Sequence, residues 1–239
     1  KKINNLKKSI TRKKTAKKLL KKVKVDYDSI SEEFHASRKH SWKEFNAFLP
    51  HIRENDYIAD LGCGNGRFLQ FLKDKNLKFK YIGIDNSKNL LKAAQKSHKE
   101  HQFIHGDLLN LPLENNHIDI AASIASIHHI PSKELRKKAF KEIYRILKPN
   151  GLLLITAWNL FQPKYKKFIW QSRLKSVLSF GKYDPRDTFI PWGKSGVKRY
   201  YYAFTLPEIK TLLLNSGLKI LEENVGNNFT FVCQKQQSS

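Results

Sequence analysis

Apolar residues in this chain fall into two alternating patterns. Continuous runs at 57–61, 79–84, 102–106, 118–124 and 152–157 read as buried strands. Between them, 66–74, 87–97 and 132–147 carry apolar residues every third or fourth position, as amphipathic helices do. This rhythm predicts a parallel sheet covered by helices on both faces, with ligands held at the strand carboxyl ends where the strand order reverses. An earlier helix is expected over 28–49, ending before Pro50. Late in the chain, Leu206-Pro207-Glu208 opens a helix to about Asn215 and Gly217 ends it. Strands 218–224 and 228–233 are then expected to close the sheet as an antiparallel pair.

Two segments break the rhythm. Residues 158–204 show no clear period, interleave aromatic with basic residues and contain Pro163, Pro185 and Pro191, which suits an insertion on the substrate side. Residues 1–24 place Ile3, Leu6, Ile10, Ala16, Leu19, Leu20 and Val23 at helical spacings among lysines, giving a basic arm that is either flexible or helical on a partner. The expected organisation is thus an arm, 1–24, and one catalytic domain, 25–239.

Charge sharpens that division. The net charge is +24; residues 1–24 contribute +12 and residues 162–201 contribute +8, leaving +4 for all the rest. Two basic segments on a nearly balanced body suit a polyanionic partner, although a lysine-biased genome would also raise the total. Two cysteines, Cys63 and Cys233, supply neither a disulfide framework nor a metal spacing. With no apolar run of membrane-spanning length and no signal-peptide core, the expected compartment is the cytoplasm. There is no methionine, so residue 1 is not expected to be the native start.

Chemistry concentrates at Ala59-Asp60-Leu61-Gly62-Cys63-Gly64-Asn65-Gly66-Arg67-Phe68, where a buried strand ends in an acid and opens onto alternating glycines. Asp85 follows at the end of the next strand, where a carboxylate can accept both ribose hydroxyls of a nucleoside. The spacing G-x-G-x-G, preceded by an acid, differs from the dinucleotide fingerprint G-x-G-x-x-G. It fits S-adenosyl-L-methionine better, because that cofactor has no phosphate and carries ammonium and sulfonium charges. A glycine-rich turn in an unrelated α/β protein is the alternative.

This loop, Asp85, His105-Gly106-Asp107 with Leu111-Pro112, and the run from Glu142 to Gly151 together resemble class I S-adenosylmethionine-dependent methyltransferases. Tyr27-Asp28-Ser29-Ile30, Phe34-His35-Ala36-Ser37-Arg38, Ser126-Ile127-His128-His129-Ile130, Phe189-Ile190-Pro191-Trp192 and Arg199-Tyr200-Tyr201 resemble, more narrowly, the methyltransferases that esterify 5-carboxymethyluridine at the tRNA wobble position. The resemblance covers about residues 25–235. It implies a Rossmann-like doubly wound α/β sheet, mostly parallel with an antiparallel terminal strand, acting on a tRNA anticodon loop. Eukaryotic relatives work with a small zinc-binding activator subunit, which nothing in this sequence establishes.

Cofactor-binding candidates are Gly62 and Gly64 along the methionine portion, Asp60 for its ammonium and Asp85 for the ribose. By resemblance, Asp107 reads the adenine amino group, Leu108 covers the ring and Arg38 pairs with the methionine carboxylate. Asp107 as a turn residue and Arg38 as a surface arginine remain the alternatives. Substrate-binding candidates are His128 and His129 after the fourth strand, Arg186 and Arg199 for phosphates, and Trp192, Tyr200 and Tyr201 as faces on which an unpaired base can stack. An aromatic lid packed on the sheet is the competing reading.

No general base is assigned, since a carboxylate acceptor is ionised near neutral pH and alignment suffices. A quinone or phenolic acceptor would instead use His129 as base, and a catalytically silent RNA-binding protein would use neither. His98, His101 and His105 read as a solvated connection, with no metal expected.

Overall fold

A computed structural model describes residues 2–38, 42–193 and 195–237, with side chains from Arg12 onward. Seven strands form one sheet in the order β3-β2-β1-β4-β5-β9-β8. These are β1 (Tyr57–Leu61), β2 (Lys80–Asp85), β3 (Gln102–His105), β4 (Ile118–Ile124), β5 (Leu147–Trp158), β8 (Leu218–Val225) and β9 (Asn228–Lys235). β1 to β5 are parallel, whereas β9 runs antiparallel between β5 and β8. The chain builds outward from β1 to β3, then returns to lay β4 on the other side of β1, so the order reverses between β1 and β4.

Helices α3 (Arg67–Asp74), α4 (Lys88–Ser97), α5 (Lys133–Ile146) and α7 (Leu206–Leu214) lie where the helical periodicity places them. Each buries its apolar stripe, such as Phe68, Leu69, Phe71 and Leu72 of α3 and Ala139, Phe140, Ile143 and Ile146 of α5. The main core combines α5, α7 and the inner residues of β1, β4, β5 and β9, and a second cluster packs α3 against Phe45 and Phe48.

The amino-terminal region differs from the expected arrangement. α1 runs unbroken from Lys2 to Ser29, across residue 24, and its Ala16, Leu19 and Val23 are buried. The side chains of Ile3, Leu6 and Ile10 lie outside those described. In place of one helix over 28–49 there are α2 (Ser31–Ser37) and a 3₁₀ run at Lys43–His51, and residues 39–41 lie outside the description. The hydroxyls of Ser29 and Ser31 bond back to the carbonyls of Asp26 and Asp28, competing with helix continuation where α1 gives way to α2.

The aperiodic segment holds α6 (Lys166–Leu178) and an antiparallel pair, β6 (Asp187–Pro191) with β7 (Lys198–Tyr202). α6 escapes a periodicity search because its apolar residues are scattered among polar ones and form no single stripe: Ile169 faces inward while Trp170, Leu174, Val177 and Leu178 are exposed. Among the described residues no helix is long and apolar enough to cross a membrane.

Candidate active site

A pocket with about 1110 Å³ of open space lies at the carboxyl ends of β1, β2 and β4, walled by α1, α2 and β7. Its floor is the loop after β1. Gly62 has φ +82°, and a Cβ there would sit 2.5 Å from the Ser126 Cβ, so only glycine admits this turn. The Gly64 N–H donates to Asp85 Oδ2 at 2.8 Å and the Ser87 N–H donates to Oδ1 at 2.8 Å. These bonds fix the Asp85 carboxylate toward the pocket while leaving acceptor capacity on both oxygens. Burial nevertheless raises its pKa against those two backbone donors.

Asp60 is 1% exposed and lines the same pocket. Burial pushes its carboxyl up to about 7, opposed by the Tyr81 hydroxyl that donates to it. A buried acid so placed favours a cationic ligand group. Asp107, exposed, and Leu108, half-buried, complete this side, although Asp107 Oδ1 also accepts from the Leu109 N–H as a turn residue does. One acid near a loop of close-approach glycines, one beside it with two free acceptor positions, and a third next to an apolar side chain match an ammonium, a diol and an amino-purine. The set of acceptors therefore fits S-adenosylmethionine.

Basic and aromatic side chains line the same pocket: Arg38, Arg67, Arg199, His128, His129, Tyr201 and Tyr27. Arg199 is 3% exposed, stacks 4.1 Å from the Trp192 ring and has a buried Nε without a hydrogen-bond partner. Arg38 Nε is likewise buried and unpartnered. Burial, with Arg199 nearby, lowers the Arg38 pKa.

The histidine tautomers follow from their partners. His129 Nδ1 lies 2.7 Å from the Tyr200 carbonyl, which can only accept, so Nδ1 carries the proton. Its Nε2 then accepts from the Tyr27 hydroxyl at 2.8 Å. His128 Nδ1 accepts from the Trp158 N–H, so Nε2 carries the proton, buried and without a partner. Burial drives both imidazoles down, His129 to about 3, with Arg199 adding to the effect.

Several expected substrate contacts lie elsewhere. Tyr200 is 0% exposed, packs in the main core and donates to Asp187, so it offers no face to a base. Tyr201 reaches the pocket but is sandwiched between Trp158 and His128, and guanidinium groups of Arg199 and Arg38 occupy the Trp192 ring. Arg186 is outside the pocket, paired with Glu208 at 2.6 Å. The base-stacking role expected for Tyr200 is corrected by its burial, strand alternation turning it inward, while Arg186 is shared with Glu208. His98 is buried beside Gly66, while His101 stacks on Phe79.

Sequence reasoning missed the contribution of α1. Leu20, Val23 and Tyr27 form one pocket wall, and their i, i+3, i+7 spacing was the signal that could have found it. Asp28 accepts from the Ser87 hydroxyl at 2.6 Å, joining α1 to the residue that orients Asp85.

Comparison with known proteins agrees with this geometry. Residues 59–155 match the family described as a methyltransferase domain. A tRNA (carboxymethyluridine(34)-5-O)-methyltransferase of Arabidopsis thaliana is 38% identical over 132 residues, covering 55% of this chain and 31% of the relative. The chain thus spans about a third of that relative's length. A protein of Encephalitozoon cuniculi whose name assigns it to the methyltransferases is 30% identical, over 86% of this chain and 90% of its own. A solved S-adenosylmethionine-dependent methyltransferase of Methanosarcina mazei superposes with a TM-score of 0.71 at 20% identity, covering 80% of this chain and 98% of that one. A Haloferax volcanii structure, described as a complex between the Trm112 methyltransferase activator and a methyltransferase, superposes with a TM-score of 0.67 at 16% identity, over 91% and 99%. With the loop, the ribose acid and the sheet order in agreement, the chain belongs to the S-adenosylmethionine-dependent methyltransferases.

Proposed function

We propose that this methyltransferase esterifies the carboxylate of a carboxymethyl-modified wobble uridine in tRNA. One observation carries the acceptor chemistry: Arg199, a buried guanidinium with no salt bridge among the described residues, lines the same pocket as the three acids. A buried guanidinium without a carboxylate partner favours an anionic, planar oxygen ligand. The names of the relatives support a tRNA as its carrier.

In this reading Asp60, Asp85, Asp107 and Leu108 hold the cofactor with Gly62 and Gly64, and Arg38 takes its carboxylate. When bound, S-adenosylmethionine supplies an electrophilic methyl group on a sulfonium. Arg199 and His128 orient the acceptor carboxylate, which has a reference pKa of about 4 and arrives ionised, so no proton is removed. Leu20, Val23, Ile130 and Trp158 exclude water from the reacting oxygen. His129, with both nitrogens engaged, holds structure and takes no proton.

The exposed cations of α1, Arg12, Lys13, Lys14, Lys17, Lys18 and Lys21, serve as phosphate contacts for the anticodon arm. The Haloferax volcanii complex supports a small activator subunit as a partner, and the unpaired, buried Cys63 and Cys233 support a reducing cytoplasmic setting. Mass spectrometry of nucleosides from carboxymethyl-bearing tRNA, incubated with the chain and labelled cofactor, tests the reading. A labelled methyl ester is expected; label on a ring or ribose atom overturns it.

A further inference from the structure

Arg199 is a buried cation with no salt bridge among the described residues. Such a group is costly unless its hydrogens are directed, and a guanidinium free to swivel would not present one edge reproducibly. The Trp192 face fixes its plane, and Tyr27 fixes its rotation, because Arg199 Nη1 donates to the Tyr27 hydroxyl at 3.1 Å.

That second interaction has a defined direction. The Tyr200 carbonyl obliges His129 to carry its proton on Nδ1, so Nε2 must accept, and the single Tyr27 proton is drawn to it. The lone pairs of the hydroxyl are left for Arg199. The four groups form a one-way chain, Arg199 to Tyr27 to His129 to the Tyr200 carbonyl, with every donor between the ends used once. The Tyr27 ring is itself held, edge-on to Phe34 at 5.6 Å and to His129 at 5.1 Å.

We propose that Tyr27 is the positioning residue of the acceptor side, its hydroxyl locking the Arg199 guanidinium in one orientation at the pocket wall, where the acceptor carboxylate is held. The inference rests on the carboxylate reading above and deepens it. It gives His129 a specific task, which is to keep the Tyr27 proton turned away from Arg199. It also makes the acceptor side depend on α1, a helix that contributes no group to the cofactor's ribose acid except through Ser87.

The test is a double-mutant cycle on single-turnover methyl transfer to carboxymethyl-bearing tRNA, with cofactor saturating. Tyr27→Phe keeps the ring packing and removes the hydroxyl. It is expected to slow the maximal rate at least tenfold while S-adenosylhomocysteine affinity stays within twofold. The pair Tyr27→Phe with Arg199→Lys is expected to be no slower than Arg199→Lys alone, because both remove one arrangement. A Tyr27→Phe rate within twofold of wild type, or losses that multiply in the pair, overturns the proposal.

A second measurement needs no variant. Histidine ¹⁵N shifts in the wild-type chain are expected to show His129 protonated on Nδ1 from pH 5 to 8. Protonation on Nε2 would reverse the chain and overturn the proposal even if a variant failed to fold. Failure of the carboxylate reading has a separate signature, a wild-type enzyme that leaves carboxymethyluridine unesterified.

Discussion

The Tyr81 hydroxyl donates to Asp60 Oδ2 at 2.9 Å beneath the cofactor loop, and it is the hydrogen bond that holds down the pKa of an otherwise stranded acid. Burial keeps that carboxyl at about 7, so in the free protein Asp60 is half-protonated near neutrality. The charged form is the one that attracts an ammonium. Affinity for S-adenosylhomocysteine should therefore be full above about pH 8 and fall toward tenfold per pH unit below the Asp60 pKa. Tyr81→Phe removes the stabilising donor and should move that midpoint upward. Calorimetry between pH 5.5 and 8.5 reads both; a pH-independent affinity would exclude Asp60 as the ammonium partner.

Asp85 holds the loop, and in the proposed reading it also holds the ligand. Asp85→Ala removes the ribose acceptor and also strands the Gly64 and Ser87 N–H groups. Hydrogen bonds to a charged group contribute about 1.5–3 kcal/mol each, so cofactor affinity should drop tenfold or more. Undiminished binding by the variant would refute the assignment.

The histidine pair separates the two enzymatic readings. His129, held near 3 by burial, stays neutral throughout the working range, and its Nε2 lone pair already accepts from Tyr27. With a carboxylate acceptor the rate should be flat from about pH 6.5 to 8.5, and His129→Asn should cost modestly because its amide oxygen can still accept a hydrogen bond. A phenolic acceptor with His129 as base predicts instead a loss of about 10²–10⁴-fold in that variant. Single-turnover rates of wild type and variant, with cofactor saturating, distinguish them.

RNA binding by α1 is best tested by charge and not by truncation. Deleting residues 1–24 would remove Ala16, Leu19 and Val23 from the core, and a single Leu→Ala change in a core costs about 2–5 kcal/mol. Replacing Lys13, Lys14, Lys17, Lys18 and Lys21 with glutamine leaves that packing intact. Such a variant should bind tRNA more weakly and with a shallower salt dependence, the log–log slope falling by roughly 0.7–0.9 for each phosphate it no longer neutralises, at unchanged cofactor affinity. An unaltered slope would show these lysines to be bystanders.

Much of the sheet was legible because its central strands, β1, β2, β4 and β5, are buried on both faces and read as apolar runs, and because Asp60 and Asp85 lie at the ends of two of them. The acceptor side was less so. Tyr200 and Tyr201 are adjacent and chemically identical in sequence, and both are fully buried, yet they join different core clusters and only Tyr201 lines the pocket, a difference set by which face of β7 meets the sheet. Arg186 and Arg199 likewise look alike until Glu208, distant in sequence, claims the first. Residues 1–24 read as an arm, flexible or helical on a partner, because their lysines outnumber their apolar residues, whereas what matters is that the few apolar ones of α1 share a face that finds the core.

β7 carries two interleaved registers. Its odd positions, Arg199 and Tyr201, line the pocket, and its even positions, Tyr200 and Tyr202, anchor the insertion to the body of the protein. The two sets can therefore vary on separate schedules, so a lineage can re-tune what the enzyme accepts by changing alternate letters of five while the intervening letters keep the strand seated. The same arrangement makes insertions dangerous where substitutions are mild: one extra residue before Arg199 would exchange the two registers, turning a guanidinium toward oil and a tyrosine ring toward the acceptor.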